Sequence, residues 1–267
     1  MGRLEKLREV LSEGSTIRLV EDHIYSALPD APHRHLYDRR AAAYDSVVGT
    51  GLYNRVMWGT SPLDYIAFAG EAVISDPAGR MLDAGCGSLL FTARAYLAAD
   101  RQIIAFDQSL QMLRRARARL IELAGSLPER IILLQADLSE LVFWPGSFQT
   151  ILCMNVLHQF PRAAELVPQL KILLADGGQL YLTSLISSGR YIGDRWLSIL
   201  YKTGEFVRPR SKLLDDALGE RLRYRIKGNM AFATFETNGA LTSRKLKEQA
   251  KLFIGLDCPL TATRRPN

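Results

Sequence analysis

Arg80-Met81-Leu82-Asp83-Ala84-Gly85-Cys86-Gly87-Ser88-Leu89-Leu90-Phe91 runs from a short apolar strand into an acid, a Gly-x-Gly turn and the start of a helix. That order suits a nucleoside-bearing ligand lying across the carboxyl ends of a parallel sheet, because glycine turns sharply and lets the backbone approach without a Cβ in the way. Asp107 follows Gly87 by 20 positions, at the end of a second apolar run, Ile103-Ile104-Ala105-Phe106. A carboxylate there can accept hydrogen bonds from ribose hydroxyls. Two features speak against a nicotinamide dinucleotide. Leu90 stands where G-x-G-x-x-G has its third glycine, and Asp83 would repel a pyrophosphate. An ammonium-bearing nucleoside avoids both conflicts, and S-adenosyl-L-methionine is the cofactor expected.

Working outward, strands and helices alternate from residue 80, the pattern of a parallel sheet covered on both faces. Strands are expected at Met81–Ala84, Gln102–Phe106, Ile131–Gln135, Phe148–Asn155 and Gln179–Leu185, with helices near Leu89–Ala99, Ser109–Leu123 and Arg162–Leu174. Ser109 suits a helix N-cap, and Asp176-Gly177-Gly178 a helix-ending turn. The alternation then pauses. Arg190 to Tyr201 reads as an extra helix, a short helix follows at about Ser211–Leu218, and Gly228-Asn229 joins two closing strands, Leu222–Lys227 and Ala231–Glu236. The first 75 residues read as mostly helical, broken by Pro29, Pro32 and Pro62. Leu241 to Phe253 reads as a basic helix. Three regions are therefore expected: a helical cap over 1–75, a cofactor domain over 76–240 with an insert at about 187–210, and a basic tail over 241–267.

The bulk properties are those of a globular protein: 267 residues, 48% hydrophobic and 23% charged. A net charge of +6 hints at anionic partners without selecting one. Arg114, Arg115, Arg117 and Arg119 crowd one helix opposite Leu110, Leu113, Ala116, Leu120 and Ala124, so they read as a solvated outer face. Cys86, Cys153 and Cys258 are odd in number and far apart, which predicts neither a disulfide framework nor a metal site and favours a reducing, cytoplasmic setting. The charged segment Met1 to Glu13 reads as a helix and not a signal peptide, and no apolar run reaches the roughly 18 residues that cross a bilayer.

Five ordered motifs over residues 80 to 236 resemble the class I S-adenosylmethionine-dependent methyltransferases. Leu82-Asp83-Ala84-Gly85-Cys86-Gly87 is similar to the family's first motif, which holds the methionine half of the cofactor. Phe106-Asp107-Gln108-Ser109 resembles the acidic second motif, giving Asp107 the ribose hydroxyls. Gln135-Ala136-Asp137-Leu138 resembles the third, which implies that Asp137 accepts from the adenine amino group while Ala136 and Leu138 flank the ring. Phe148 to His158, including Asn155, resembles the fourth strand and its active-site turn, and Asp176-Gly177-Gly178-Gln179-Leu180 the turn into the fifth. The resemblance implies an α/β, Rossmann-like, seven-stranded mostly parallel sheet with helices on both faces and its last strand antiparallel. One departure is Ser88-Leu89-Leu90, where the family usually carries another small residue.

Single residues carry a functional and a plain reading. His158 is either a general base or a residue lining the site. Tyr44 resembles the aromatic lid of small-molecule members, and otherwise packs its helix. Trp58, Tyr191 and Trp196 either wall an apolar acceptor pocket or belong to amphipathic packing. His33 and His35 lack further ligands, so no metal is expected, and Cys153 reads as core. The expected activity is methyl transfer to a small, fairly apolar acceptor by in-line attack, releasing S-adenosyl-L-homocysteine. Contact with a membrane surface through the basic tail is a variant. RNA or protein methylation is the alternative, but Asn155-Val156-Leu157-His158 lacks the Asn/Asp-Pro-Pro-Tyr that stacks a base. A cofactor-binding regulator without turnover is a third reading. The oligomeric state is not legible.

Overall fold

The computed structural model describes residues 2–28, 50–140, 142–160, 163–206 and 222–237. Five largely buried strands, β3 (Met81–Ala84), β4 (Ile103–Asp107), β5 (Ile131–Gln135), β6 (Phe148–Cys153) and β7 (Leu174–Leu185), form a parallel sheet. Strands covered on both faces need apolar residues at successive positions, which is why Ile-Ile-Ala-Phe and Ile-Ile-Leu-Leu do not alternate with polar ones. Their side chains still divide with period two. Leu82, Ile104, Ile132 and Ile151 join one core layer, while Met81, Ile103, Ala105, Ile131 and Leu133 join the other. The strands β8 (Leu222–Lys227) and β9 (Met230–Glu236) close the sheet as an antiparallel hairpin on β7, as the sequence predicts.

Among the described residues the sheet has nine strands, not seven, and with β1 (Arg18–Glu21) and β2 (Ile24–Ser26) their order is β1-β2-β5-β4-β3-β6-β7-β9-β8. These two extra strands lie in the segment expected to be helical. They form a hairpin around His23, whose φ of 62° closes the turn, and β2 runs parallel to β5 with Ile24 opposite Leu133. Strands this short show no readable periodicity, and their stability comes from an edge more than a hundred residues away. The arginine cluster of α5 (Leu110–Ala124) fastens this hairpin. Arg114 binds Glu21, Arg117 donates to the Asp22 carbonyl at 2.6 Å, and the Arg114 hydrogen bond holds the Glu21 carboxyl below its ordinary range. That face is therefore not merely solvated. The helix α1 spans only Arg3–Arg8, and Leu7, Val10 and Leu11 enter the core beside Phe143.

Within the described residues after 49, α2 (Gly51–Tyr53) continues as a π-helical turn over Asn54–Trp58 and stops at Gly59 with φ 68°. Then comes α3 (Pro62–Ile74), started by Ser61 and Pro62, with the Ser61 amide donating to Asp64 at 2.7 Å. At its far end the buried Arg101 caps it, donating to Val73 O (3.1 Å), Gly79 O (2.7 Å) and Thr150 Oγ1 (3.1 Å). Among the described residues the remaining helices are α4 (Ala93–Ala98), α6 (Ala163–Ile172) and α7 (Tyr191–Lys202), which lies where the extra helix was expected. Gly193 lets α7 approach the π-turn, since a Cβ there would lie 2.7 Å from Met57 O. The turn Gly228-Asn229 docks on the same place, the Asn229 amide donating to Trp58 O at 2.7 Å. Asp176-Gly177-Gly178 sits not at a helix end but inside β7, where the register with β6 shifts. The expected helices at Ser211–Leu218 and Leu241–Phe253 lie outside the described residues.

Candidate active site

Strand order reverses at β3, with β4 on one side and β6 on the other. Chain connections leave that point in opposite directions, so a cleft opens at the carboxyl ends of these strands. The turn after β3 forms its floor. Gly85 and Gly87 take φ of 74° and 55°, and the amides of Gly85 and Cys86 both donate to Phe106 O at 2.9 Å, tying the turn to β4. A Cβ on Gly85 would lie 2.5 Å from Val156 Cγ2, whereas above Gly87 the space is open. Leu89 takes φ 55° although it is a buried leucine, so the departure at Ser88-Leu89-Leu90 places a left-handed residue one position before the missing glycine.

Asp107 lines the cleft, its carboxylate fixed by two backbone amides, Gly87 N at 2.9 Å and Ser109 N at 2.8 Å. Ser109 also caps α5 through Met112 N at 3.2 Å. Asp137 is held in the same manner, its Oδ1 accepting from the Ser139 amide at 2.8 Å and hydroxyl at 2.7 Å. Asn155, at φ 59°, turns the chain after β6. Its amide donates to Thr183 Oγ1 at 2.8 Å, and the Thr183 hydroxyl donates back to Asn155 Oδ1 at 3.2 Å. Asparagine is among the few side chains that accept the left-handed region at low cost. These contacts place a glycine cradle and a fixed carboxylate around one cleft, which fits a nucleoside with its ribose at Asp107.

Of the residues singled out from sequence, Gly85, Gly87, Asp107, Gln108, Leu138 and Asn155 meet at this cleft. Asp83, Cys86, Ala136 and Asp137 do not line it. Asp83 is buried behind the turn, where Tyr96 donates to its Oδ2 at 2.7 Å. Burial pushes its pKa up to about 7, against the lowering effect of that hydrogen bond. Sequence reasoning missed Tyr96, whose only signal is a phenol on the apolar face of α4. Burial likewise raises the Cys86 thiol, and the buried Cys153 stands in the core. Tyr44, His33 and His35 fall outside the described residues.

Beside the cleft lies a smaller cavity of about 50 Å³, walled by Tyr53, Trp58, Tyr65, Leu185, Phe206 and Met230 and by the buried amide of Asn54. Asn155 and Gln159 line both spaces and mark where they meet. His158 also lines the cavity. It is 3% exposed, packs edge-on against Phe206 with ring centroids 4.6 Å apart, and its Nδ1 has no hydrogen-bond partner. Burial pushes its pKa down to about 3, so the ring is neutral. That opposes the reading of a general base poised near neutrality. Trp196 does not line the cavity; its Nε1 donates to the wall residue Tyr53 at 3.3 Å. Tyr191 points away, 74% exposed, its hydroxyl accepting from Arg195 at 2.7 Å. Glu205 and Phe206, adjacent in the turn beyond α7, reach the cleft and the cavity respectively, and nothing in the sequence pattern marks them. Among the described residues no cluster of three or more His, Cys, Asp or Glu is placed to hold a metal, and no helix is long and apolar enough to cross a membrane.

Comparison with known proteins agrees with this geometry. A family model described as a methyltransferase domain matches residues 81–178. A ubiquinone biosynthesis O-methyltransferase of Xanthomonas campestris is 33% identical over 193 residues, covering 68% of this chain and 77% of the relative. Among solved structures, the [4+2]-cyclase SpnF aligns with TM-score 0.58 at 16% identity, over 76% of this chain and 94% of that one. A geranyl diphosphate methyltransferase in complex with its cofactor aligns with TM-score 0.53 at 12% identity, over 79% and 93%. At such identities the structural likeness concerns the fold, and this fold carries more than one reaction. The sequence relative decides the family: the chain belongs to the class I S-adenosylmethionine-dependent methyltransferases, with S-adenosylmethionine as its cofactor.

Proposed function

We propose that the protein methylates an oxygen of a small, largely apolar acceptor, which attacks in line from the aromatic cavity beside the cofactor cleft. The observation that carries this is the junction of the two spaces at Asn155 and Gln159, with aromatic and aliphatic side chains on the far side. Bound S-adenosylmethionine supplies an electrophilic methyl group on a sulfonium. The chain's part is alignment. Gly85 and Gly87 permit close approach, Asp107 takes the ribose hydroxyls, and Gln108 and Leu138 stand where the base would lie. Trp58, Tyr65 and Phe206 keep water from the acceptor side. Proximity and orientation can supply roughly 7–11 kcal/mol of a barrier, enough that a strong base is not required. An oxygen acceptor is favoured by the relatives named O-methyltransferases.

Two measurements test the reading. Calorimetric titration with S-adenosylmethionine, S-adenosylhomocysteine and NAD should give binding of the two sulfur nucleosides only, weakened at least about 100-fold in Asp107→Ala. Label transfer from methyl-tritiated cofactor should then reach small hydroxylated acceptors and not RNA or protein. Transfer to RNA or protein alone would sink the small-acceptor assignment.

A further inference from the structure

We infer that the outward face of α3 is a self-association surface, on which a second copy of this chain packs its own α3 antiparallel about a two-fold axis. The inference is independent of the acceptor.

The composition of the helix sets the problem. Pro62-Leu63-Asp64-Tyr65-Ile66-Ala67-Phe68-Ala69-Gly70-Glu71-Ala72-Val73-Ile74 holds only two charged residues. Tyr65, Phe68, Ala69, Ala72 and Val73 turn inward to the core. At 3.6 residues per turn, Leu63, Ala67, Gly70 and Ile74 fall on the opposite side within an arc of about 60°, with Ile66 along one edge. Leu63 and Ile74 are each 72% exposed, and Ile66 42%. A helix that is apolar all round is normally covered all round. Among the described residues this stripe is open.

The stripe is its own complement. Two-fold symmetry makes an interface isologous, so residue i meets j and j meets i. With the axis passing between Ala67 and Gly70, Leu63 of one copy falls opposite Ile74 of the other, and Ala67 opposite Gly70, each pair occurring twice. Large residues then meet at both ends, and small ones meet at the crossing, where low bulk lets two helix axes approach to roughly 8 Å. The edge carrying Ile66 meets the same edge of the second copy.

Charge permits the same arrangement. Asp64 and Glu71 lie along the other edge of the stripe, and β8 neutralises both. Lys227 binds Asp64 at 2.7 Å, and Arg225 binds Glu71 at 3.0 Å. Across the axis that edge meets itself as balanced ion pairs and not as a row of carboxylates. An anionic surface would find these two cations already paired, so the apolar stripe with a charge-balanced border suits a second copy. A helix of 13 residues is ~20 Å long, and its face is smaller than the about 800 Å² per partner of a tight interface. The dimer is therefore reversible, with a Kd on the order of 10 μM. Tyr65, on the inner side of the same helix, walls the small cavity, so the partner braces that wall from outside.

Sedimentation equilibrium of the full chain, from about 1 to about 300 μM, tests the pairing. The mass should rise from the protomer's 29.9 kDa toward twice that value. Gly70→Lys and Ala67→Asp should each weaken association at least about tenfold, because each sets like charges against each other at the crossing. Urea stability should not fall in Gly70→Lys, since a Cβ there has nothing within 4 Å and lysine is the better helix former. An equimolar mixture of the two variants should associate again, since position 70 of one chain faces position 67 of the other. A chain that stays at 29.9 kDa throughout overturns the inference, and so does a dimer whose Kd is unmoved by Gly70→Lys. Two folded variants that do not associate on mixing overturn the antiparallel pairing. A monomer that binds phosphatidylglycerol vesicles and loses that binding in Leu63→Ser assigns the stripe to a membrane and overturns the inference equally.

Discussion

Gly85→Ala probes the cofactor turn at its tightest point. Gly85 sits at φ 74°, where an L side chain costs about 1–2 kcal/mol. Its Cβ would also lie 2.5 Å from Val156 Cγ2, far inside the ~3.5–4.0 Å at which carbon atoms rest. Val156 is β-branched and cannot swing aside freely, so the crowding adds about 1–3 kcal/mol. Gly85→Ala should therefore lose about 3 kcal/mol in urea unfolding and weaken S-adenosylhomocysteine binding, since the Gly85 amide ties the turn to Phe106 O. Val156→Ala removes the offending methyl and by itself should cost about 1 kcal/mol. In the double variant only the backbone term of Gly85→Ala remains, so the two changes should couple favourably by about 1–3 kcal/mol. Additivity within about 0.5 kcal/mol, the behaviour of independent sites, would refute the contact. A loss below about 0.5 kcal/mol in Gly85→Ala alone would refute the conformational argument as well.

Asp83 should make stability pH-dependent. Its folded pKa of about 7 lies above the ordinary 3.8, so its stabilising contribution is full below pH 3.8 and is lost as pH rises through 7. Asp83→Asn should flatten that slope in urea midpoints taken between pH 5 and 8. Tyr96→Phe, which removes the bond lowering that pKa, should steepen it. Arg101→Ala leaves Val73 O, Gly79 O and Thr150 Oγ1 without their buried donor and should lose about 3 kcal/mol. Cofactor affinity should stay within twofold by calorimetry, and Arg101→Lys should not restore stability, because one ammonium cannot reach three sites. Tyr191→Ala should leave kcat and KM within twofold, while Trp58→Ala should raise the acceptor KM about tenfold, as their positions outside and inside the cavity require. Equal effects of the two substitutions would contradict that placement.

The parallel core was legible because its causes are local in sequence. β4 and β5 are unbroken apolar runs ending in a polar residue, the composition that burial on both faces favours, and β3 is apolar up to Asp83. Gly85, Gly87 and Asp107 were legible for the same reason, since a tight turn at positive φ favours glycine and a polar residue ends the apolar run of β4, and all three line one cleft. The hairpin β1–β2 was not. Its three or four residues per strand carry no period, and β5 and the arginines of α5 hold it from far along the chain.

The lining of the small cavity was decided by tertiary structure alone. Tyr191 and Trp196 belong to one amphipathic helix and look alike in sequence, yet one faces solvent and the other braces Tyr53, because Gly193 and Asn229 set the approach of α7. Asp83 reads as a residue suited to the cofactor, but in the fold it is buried and accepts a hydrogen bond from Tyr96. His158 reads either as a general base or as a residue lining the site, and burial pushes its pKa down to about 3, which makes it a weak base. A sequence specifies which atoms are available and, through periodicity, which face they share. The desolvation and partners that set their chemistry depend on residues brought together from α2, β6 and α7, and only the folded chain supplies those.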